Sequence, residues 1–180
     1  MPLSAAIRFC LASLCVYATV AFAEGWLYAT IGKAGAYILW TTLFILLGSV
    51  ALYPSARGIS RPRFTVIFAS AFLAYAVFWT FAYFTLRGST GEWVGSFAGC
   101  LLMAFVFALG FNRVSSTPTL FVYLFAANSA GYFLGSILNS TLGGRPGMLM
   151  WGVGHGLLFG AGVGKVLGEI DDVEREDVEI

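Results

Sequence analysis

Residues 148–168 read MLMWGVGHGLLFGAGVGKVLG, and Gly152, Gly156, Gly160, Gly164 and Gly168 recur in it at every fourth position. At 3.6 residues per turn that spacing puts all five on one helix face and strips the face of side chains. In water such a helix is poor, since each glycine costs about 1 kcal/mol against alanine. In hydrocarbon the same stripe lets a second backbone come close and gain dispersion contacts. The segment therefore reads as a membrane helix packed tightly on a neighbour. His155, the chain's single histidine, stands beside Gly156 and flanks the stripe.

The rest of the chain agrees with that solvent. It is 59% hydrophobic and 11% charged, where a soluble domain carries about 25% charge. Six runs are apolar and long enough to cross hydrocarbon at 1.5 Å per residue: about 5–23, 34–53, 64–86, 93–111, 119–139 and 148–167. Turn formers fill the connectors, as in Arg87-Gly88-Ser89 and Gly143-Gly144-Arg145-Pro146-Gly147. The expected architecture is an all-α, polytopic integral membrane bundle over residues 1–167 with six transmembrane helices. An acidic cytoplasmic tail follows over 168–180. The first run, with Arg8 ahead of it and Ala21-Phe22-Ala23 at its end, also fits a cleaved signal peptide, which would leave five helices.

Basic residues set the expected orientation. With six spans, Arg8, Arg57, Arg61, Arg63, Arg113, Lys165 and Arg175 share one side, and Lys33, Arg87 and Arg145 the other. The richer side faces the cytoplasm, which puts both termini there, in a plasma or inner membrane. The lipid bilayer is the expected partner, and no basic stripe points to nucleic acid.

Several chemistries lack their residues. Among the nine acids, Glu24 and Glu92 fall at the outer edge and the others in the tail, so no carboxylate sits mid-span. Proton- and sodium-coupled pumps usually need one there. Cys10, Cys15 and Cys100 have no ligand spacing, and a single histidine cannot ligate haem from both sides, so no metal and no cofactor is expected.

The remaining candidates gather in the last two runs. Asn128, Gly131, Tyr132, Gly135 and Asn139 share one face of the fifth. A short connector makes the fifth and sixth antiparallel neighbours, expected to be the tightest pair in the bundle. Counting inward from their outer ends puts Tyr132 and His155 each about 10 Å deep. Trp151 lies one turn above His155, and Trp40, Trp79 and Trp151 lie deeper than an interfacial belt requires. His155, Tyr132, Asn128, Trp151 and Trp79 are thus the candidate ligand-binding residues, in an outer-half site between the fifth and sixth runs. A purely structural role for the same groups, tying two helices together, is the alternative. Small residues at Gly91, Gly95 and Gly99 and at Gly131 and Gly135 repeat the close-packing device. Such faces also suit a homo-oligomer or a place in a larger membrane complex.

Ser129 in Ala127-Asn128-Ser129-Ala130-Gly131, followed by His155 on a glycine-rich last helix, faintly resembles the serine and histidine helices of rhomboid proteases. The resemblance covers two short stretches, lacks the spanning helix between serine and histidine, and implies an intramembrane hydrolase only if the two side chains meet. A non-enzymatic protein that binds, senses or transports a small or lipid-like molecule is the leading expectation.

Overall fold

The computed structural model describes residues 2–176, nearly all of them helical. Five long helices follow in order: α1 (Pro2–Leu52), α2 (Arg61–Leu86), α3 (Gly88–Gly110), α4 (Thr117–Leu142) and α5 (Gly144–Glu176). Short 3₁₀ turns at Tyr53–Ser55 and Val114–Ser116 lead from α1 to α2 and from α3 to α4.

α1 is two helices in one. Gly32 alone leaves helical geometry, at φ 71° and ψ 170°. A side chain is disfavoured there, so glycine is the residue that lets the chain reverse in one step. The halves then run back along each other. Arg8 Nη2 donates to Ser55 Oγ at 2.7 Å, Phe9 stacks on Phe44 at 6.4 Å, and Tyr28 meets Trp40 at 5.9 Å. The sequence had suggested a connector over about 24–33; the structure keeps it helical on both sides of one residue. The same reversal closes the other two hairpins at this end. Arg87 has φ 57° and ψ 164° between α2 and α3, and Gly143 has φ 66° and ψ 166° between α4 and α5.

The interior is apolar, as in a protein in water, but so is much of the surface. Phe81 and Trp26 are each 67% exposed and Leu3 is 73% exposed, whereas Ser13, Ser96 and Asn128 are fully buried. Apolar side chains facing outward along helices of this length belong in lipid. α1 to α4, with α1 taken whole, are long and apolar enough to cross a membrane. α5 falls short of the same hydropathy because glycine and His155 dilute it. The fold is thus a helical bundle of the membrane-protein class.

The small residues face neighbours inside the chain, and the neighbour of the glycine stripe is not the expected one. A side chain at Gly152, Gly156 or Gly160 would run into the first half of α1, at Tyr17, at Cys10 and Ser13, and at Phe9 and Ala6. Ser13 Oγ crosses the seam to donate to the Gly152 carbonyl at 2.9 Å. α5 is accordingly packed on both flanks, against the first half of α1 at Gly152, Gly156 and Gly160 and against α4 at Gly131, Gly135 and Gly162. The face of Gly91, Gly95 and Gly99 lies against the α2 backbone at Tyr83, Trp79 and Tyr75. Gly168 touches nothing within 4 Å.

The expected tail begins inside the bundle. α5 runs on through Glu176, Ile170 and Asp171 are buried, and Arg57 pairs with Asp171 at 3.9 Å. Tyr123 also donates to Glu169 Oε2 at 3.5 Å. Positions 177–180 of that expected tail lie outside the described residues.

Candidate functional site

A cavity of about 310 Å³ opens among the two halves of α1 and the middle of α2, with α4 and α5 closing its back. Its volume is at the lower end of the usual range for small-molecule sites. From α1 come Tyr17 and Glu24 before the reversal, and Tyr37, Trp40 and Phe44 after it. α2 supplies Phe72, Tyr75, Trp79 and Thr80 from one face. Tyr132 of α4 and Trp151 and His155 of α5 complete the wall.

Ring contacts hold this lining in place. Trp79 stacks on Tyr83 at 5.1 Å and tilts against Tyr132 at 5.5 Å, while Tyr132 meets Trp151 edge-on at 5.5 Å. Tyr17 touches both Trp151, at 6.1 Å, and His155, at 6.4 Å. His155 stacks on Phe159 at 5.4 Å, so the imidazole rests on the apolar core. Such aromatic pairs add about 0.5–1.5 kcal/mol each beyond area burial and favour one geometry.

The polar inventory is uneven. Three tyrosine hydroxyls are already engaged: Tyr75 donates to Asn128 Oδ1 at 2.9 Å, Tyr28 to Glu24 Oε1 at 2.9 Å, and Tyr132 to Glu92 Oε1 at 3.1 Å. The ring nitrogens are not. Nε1 of Trp40, Trp79 and Trp151 and both nitrogens of His155 are buried without a hydrogen-bond partner. A buried donor left unpaired costs about 1–3 kcal/mol, so their concentration around one cavity is informative. Trp151 sets its pyrrole edge against Gly135, where any side chain would collide with the indole. Among the described residues, no lysine or arginine lines the cavity.

Of the five residues singled out from the sequence, Trp79, Tyr132, Trp151 and His155 line this cavity. Asn128 stands behind it, fully buried, and holds the Tyr75 hydroxyl. The location differs from the one expected. At Gly131 the α4 backbone lies against that of His155, with a Cβ there 3.2 Å from its Cα and carbonyl. The space lies on the far side of His155, toward α1 and α2.

Sequence reading missed Tyr17, Tyr75 and the inward role of Glu24. Tyr17 is the only tyrosine in the first run, which is a usable signal. Nothing in the sequence says that the Gly32 reversal turns it toward α5.

Ser129 and His155 do not meet. Ser129 Oγ and both imidazole nitrogens are without partners, so the pair makes no hydrogen bond. Among the described residues, no three histidine, cysteine, aspartate or glutamate side chains could hold a metal ion. The long apolar helices are those of a helical membrane protein, and an aromatic-lined cavity opens among them. Compared with known proteins, the chain matches no family model, no curated protein and no solved structure at a significant level.

Proposed function

We propose that the protein is a non-enzymatic membrane protein that binds a small or lipid-like molecule in the cavity between α1 and α2, in order to sense it or move it. The carrying observation is the gathering of unpartnered ring nitrogens of Trp40, Trp79, Trp151 and His155 around a cavity of about 310 Å³. In this reading each half of α1 crosses the bilayer, as do α2, α3, α4 and α5, giving six spans with the first helix retained. Phe9 and Ser13 of that helix are fully buried, which supports keeping it. The basic loop with Arg57, Arg61 and Arg63 faces the cytoplasm, as do both termini, and the cavity lies toward the outer surface.

The alternative, a structural subunit joined to others by its glycine faces, draws less support. Gly152, Gly156 and Gly160 are covered by α1, Gly95 and Gly99 by α2, and Gly131 and Gly135 by α5. The hydrolase reading draws none from Ser129, which makes no hydrogen bond to the His155 nitrogens.

The test is extraction of the purified protein followed by mass spectrometry of small molecules. The wild-type chain should carry one at near-stoichiometric yield, and folded His155→Ala and Trp151→Ala variants should carry much less. Equal retention by both folded variants, or none by the wild type even after exposure to total membrane lipid, would overturn the proposal.

A further inference from the structure

We infer that the occupant of this cavity is an uncharged amphiphile that presents a carbonyl oxygen to the buried ring nitrogens. The inference rests on the binding role proposed above and names the chemistry of the ligand. Three observations carry it. First, the unpartnered buried groups in the walls are mainly donors: three indole N–H groups and the one N–H of a neutral imidazole, against that imidazole's single acceptor nitrogen. Trp40 and His155, each 8% exposed, keep every ring nitrogen unpartnered, and so does Trp79 Nε1. The hydroxyls of Tyr28, Tyr75 and Tyr132, by contrast, have already given their protons away. An acceptor oxygen from the ligand is what these indole N–H groups lack, since they can only donate.

Second, charge speaks against an anion. Among the described residues, no arginine or lysine lines the cavity, and Glu24 does. A phosphate or carboxylate would be buried without a counter-charge and beside a like one, which is costly in a low dielectric. Third, an ammonium group would find aromatic faces and the Glu24 carboxylate, an arrangement that does attract cations. Such a cation, however, carries no lone pair to accept from the indole N–H groups and would leave Trp40 and Trp79 unsatisfied. A neutral carbonyl on an apolar body meets both requirements: its oxygen accepts, and its body packs against Phe44, Phe72 and the tyrosine rings. Ring ketones and acyl esters share this chemistry.

The experiment measures binding to the full-length protein in lipid nanodiscs. The probes are decyl-benzoquinone (ring carbonyl), dioctanoylglycerol (ester carbonyl), decylbenzene (no acceptor) and decyltrimethylammonium (cation). Each is repeated on Trp40→Phe and Trp79→Phe, which keep an aromatic ring and delete the donor. At least one carbonyl probe should bind about tenfold tighter than decylbenzene, and the better of the two identifies the source of the carbonyl. At least one Trp→Phe variant should weaken that probe by about five- to tenfold, the net worth of a neutral hydrogen bond, and leave decylbenzene unchanged. Tightest binding by the ammonium probe, parity of decylbenzene with both carbonyl probes, or failure of both variants to separate the two would overturn the inference and leave the cavity as a binding site. No binding by any probe would overturn both.

Discussion

Gly156→Ala adds one methyl group to the seam between α5 and the first half of α1, and the structure says what it meets. The new carbon would stand 2.8 Å from Cys10 Cα and 2.7 Å from Ser13 Cβ. Carbon atoms rest at about 3.5–4.0 Å, so the two backbones must part by close to an ångström. Cys10 Cα is main chain and cannot swing aside. A gap of about 0.5–1 Å forfeits a quarter to a half of each dispersion contact along the seam. It also stretches the 2.9 Å bond from Ser13 Oγ to the Gly152 carbonyl beyond hydrogen-bonding range, a loss of about 0.5–1.5 kcal/mol. Overpacking of this kind costs about 1–3 kcal/mol. Removing a helix glycine returns up to about 1 kcal/mol. The expected net result is destabilisation by about 1–3 kcal/mol. Gly168→Ala is the matched control, on the same stripe but with nothing within 4 Å, and should be neutral or stabilising by up to about 1 kcal/mol. Reversible unfolding in mixed detergent and SDS micelles, followed by circular dichroism, reads both. Equal midpoints for the two variants would refute the claim that the stripe works through α1.

Two further outcomes follow from single positions. Arg87→Gly should stabilise the fold by about 1 kcal/mol in the same assay, because Arg87 holds φ 57° and ψ 164°, a region essentially reserved for glycine; a lowered midpoint would contradict this. Tyr75→Phe should cost about 1–3 kcal/mol by leaving buried Asn128 without its hydroxyl donor, whereas Tyr75→Phe with Asn128→Leu should cost much less than the two single changes summed; additive losses in the double-mutant cycle would show that the two groups are not coupled.

The class of this molecule was legible because its signals are one-dimensional. Apolar runs, glycine spacing and the deep tryptophans can be counted along the chain. The identity of touching faces cannot. Gly152, Gly156 and Gly160 announced a close neighbour, but the neighbour is the helix farthest from them in sequence, brought home by one reversal at Gly32. The candidate residues show the same limit. Tyr132 and His155 could be placed at a common depth by counting residues from the helix ends. Their depth does not reveal that the two backbones meet at Gly131, or that the cavity lies toward Tyr17 and Tyr75. Glu24 read as an edge residue because its role depends on Tyr28 and on the angle at which α1 turns.

The reversal at Gly32 also bears on how the chain enters a bilayer. A conventional hairpin must carry a polar loop, with its solvated peptide groups, through hydrocarbon. Here the turn consumes one residue, and every other amide from Pro2 to Leu52 belongs to a helix. At the turn, unpaired backbone groups are therefore confined to the last carbonyls of the first half and the first N–H groups of the second, beside Gly32. In the six-span arrangement the charged groups that the first two helices must take across are Glu24 and Lys33, at a cost of about 2.5–3.5 kcal/mol for each charge at the midplane. More than forty apolar and small residues accompany them. The first 52 positions thus form a helical hairpin with a single non-helical residue at its tip, and its first half supplies the surface that the α5 glycines lie against.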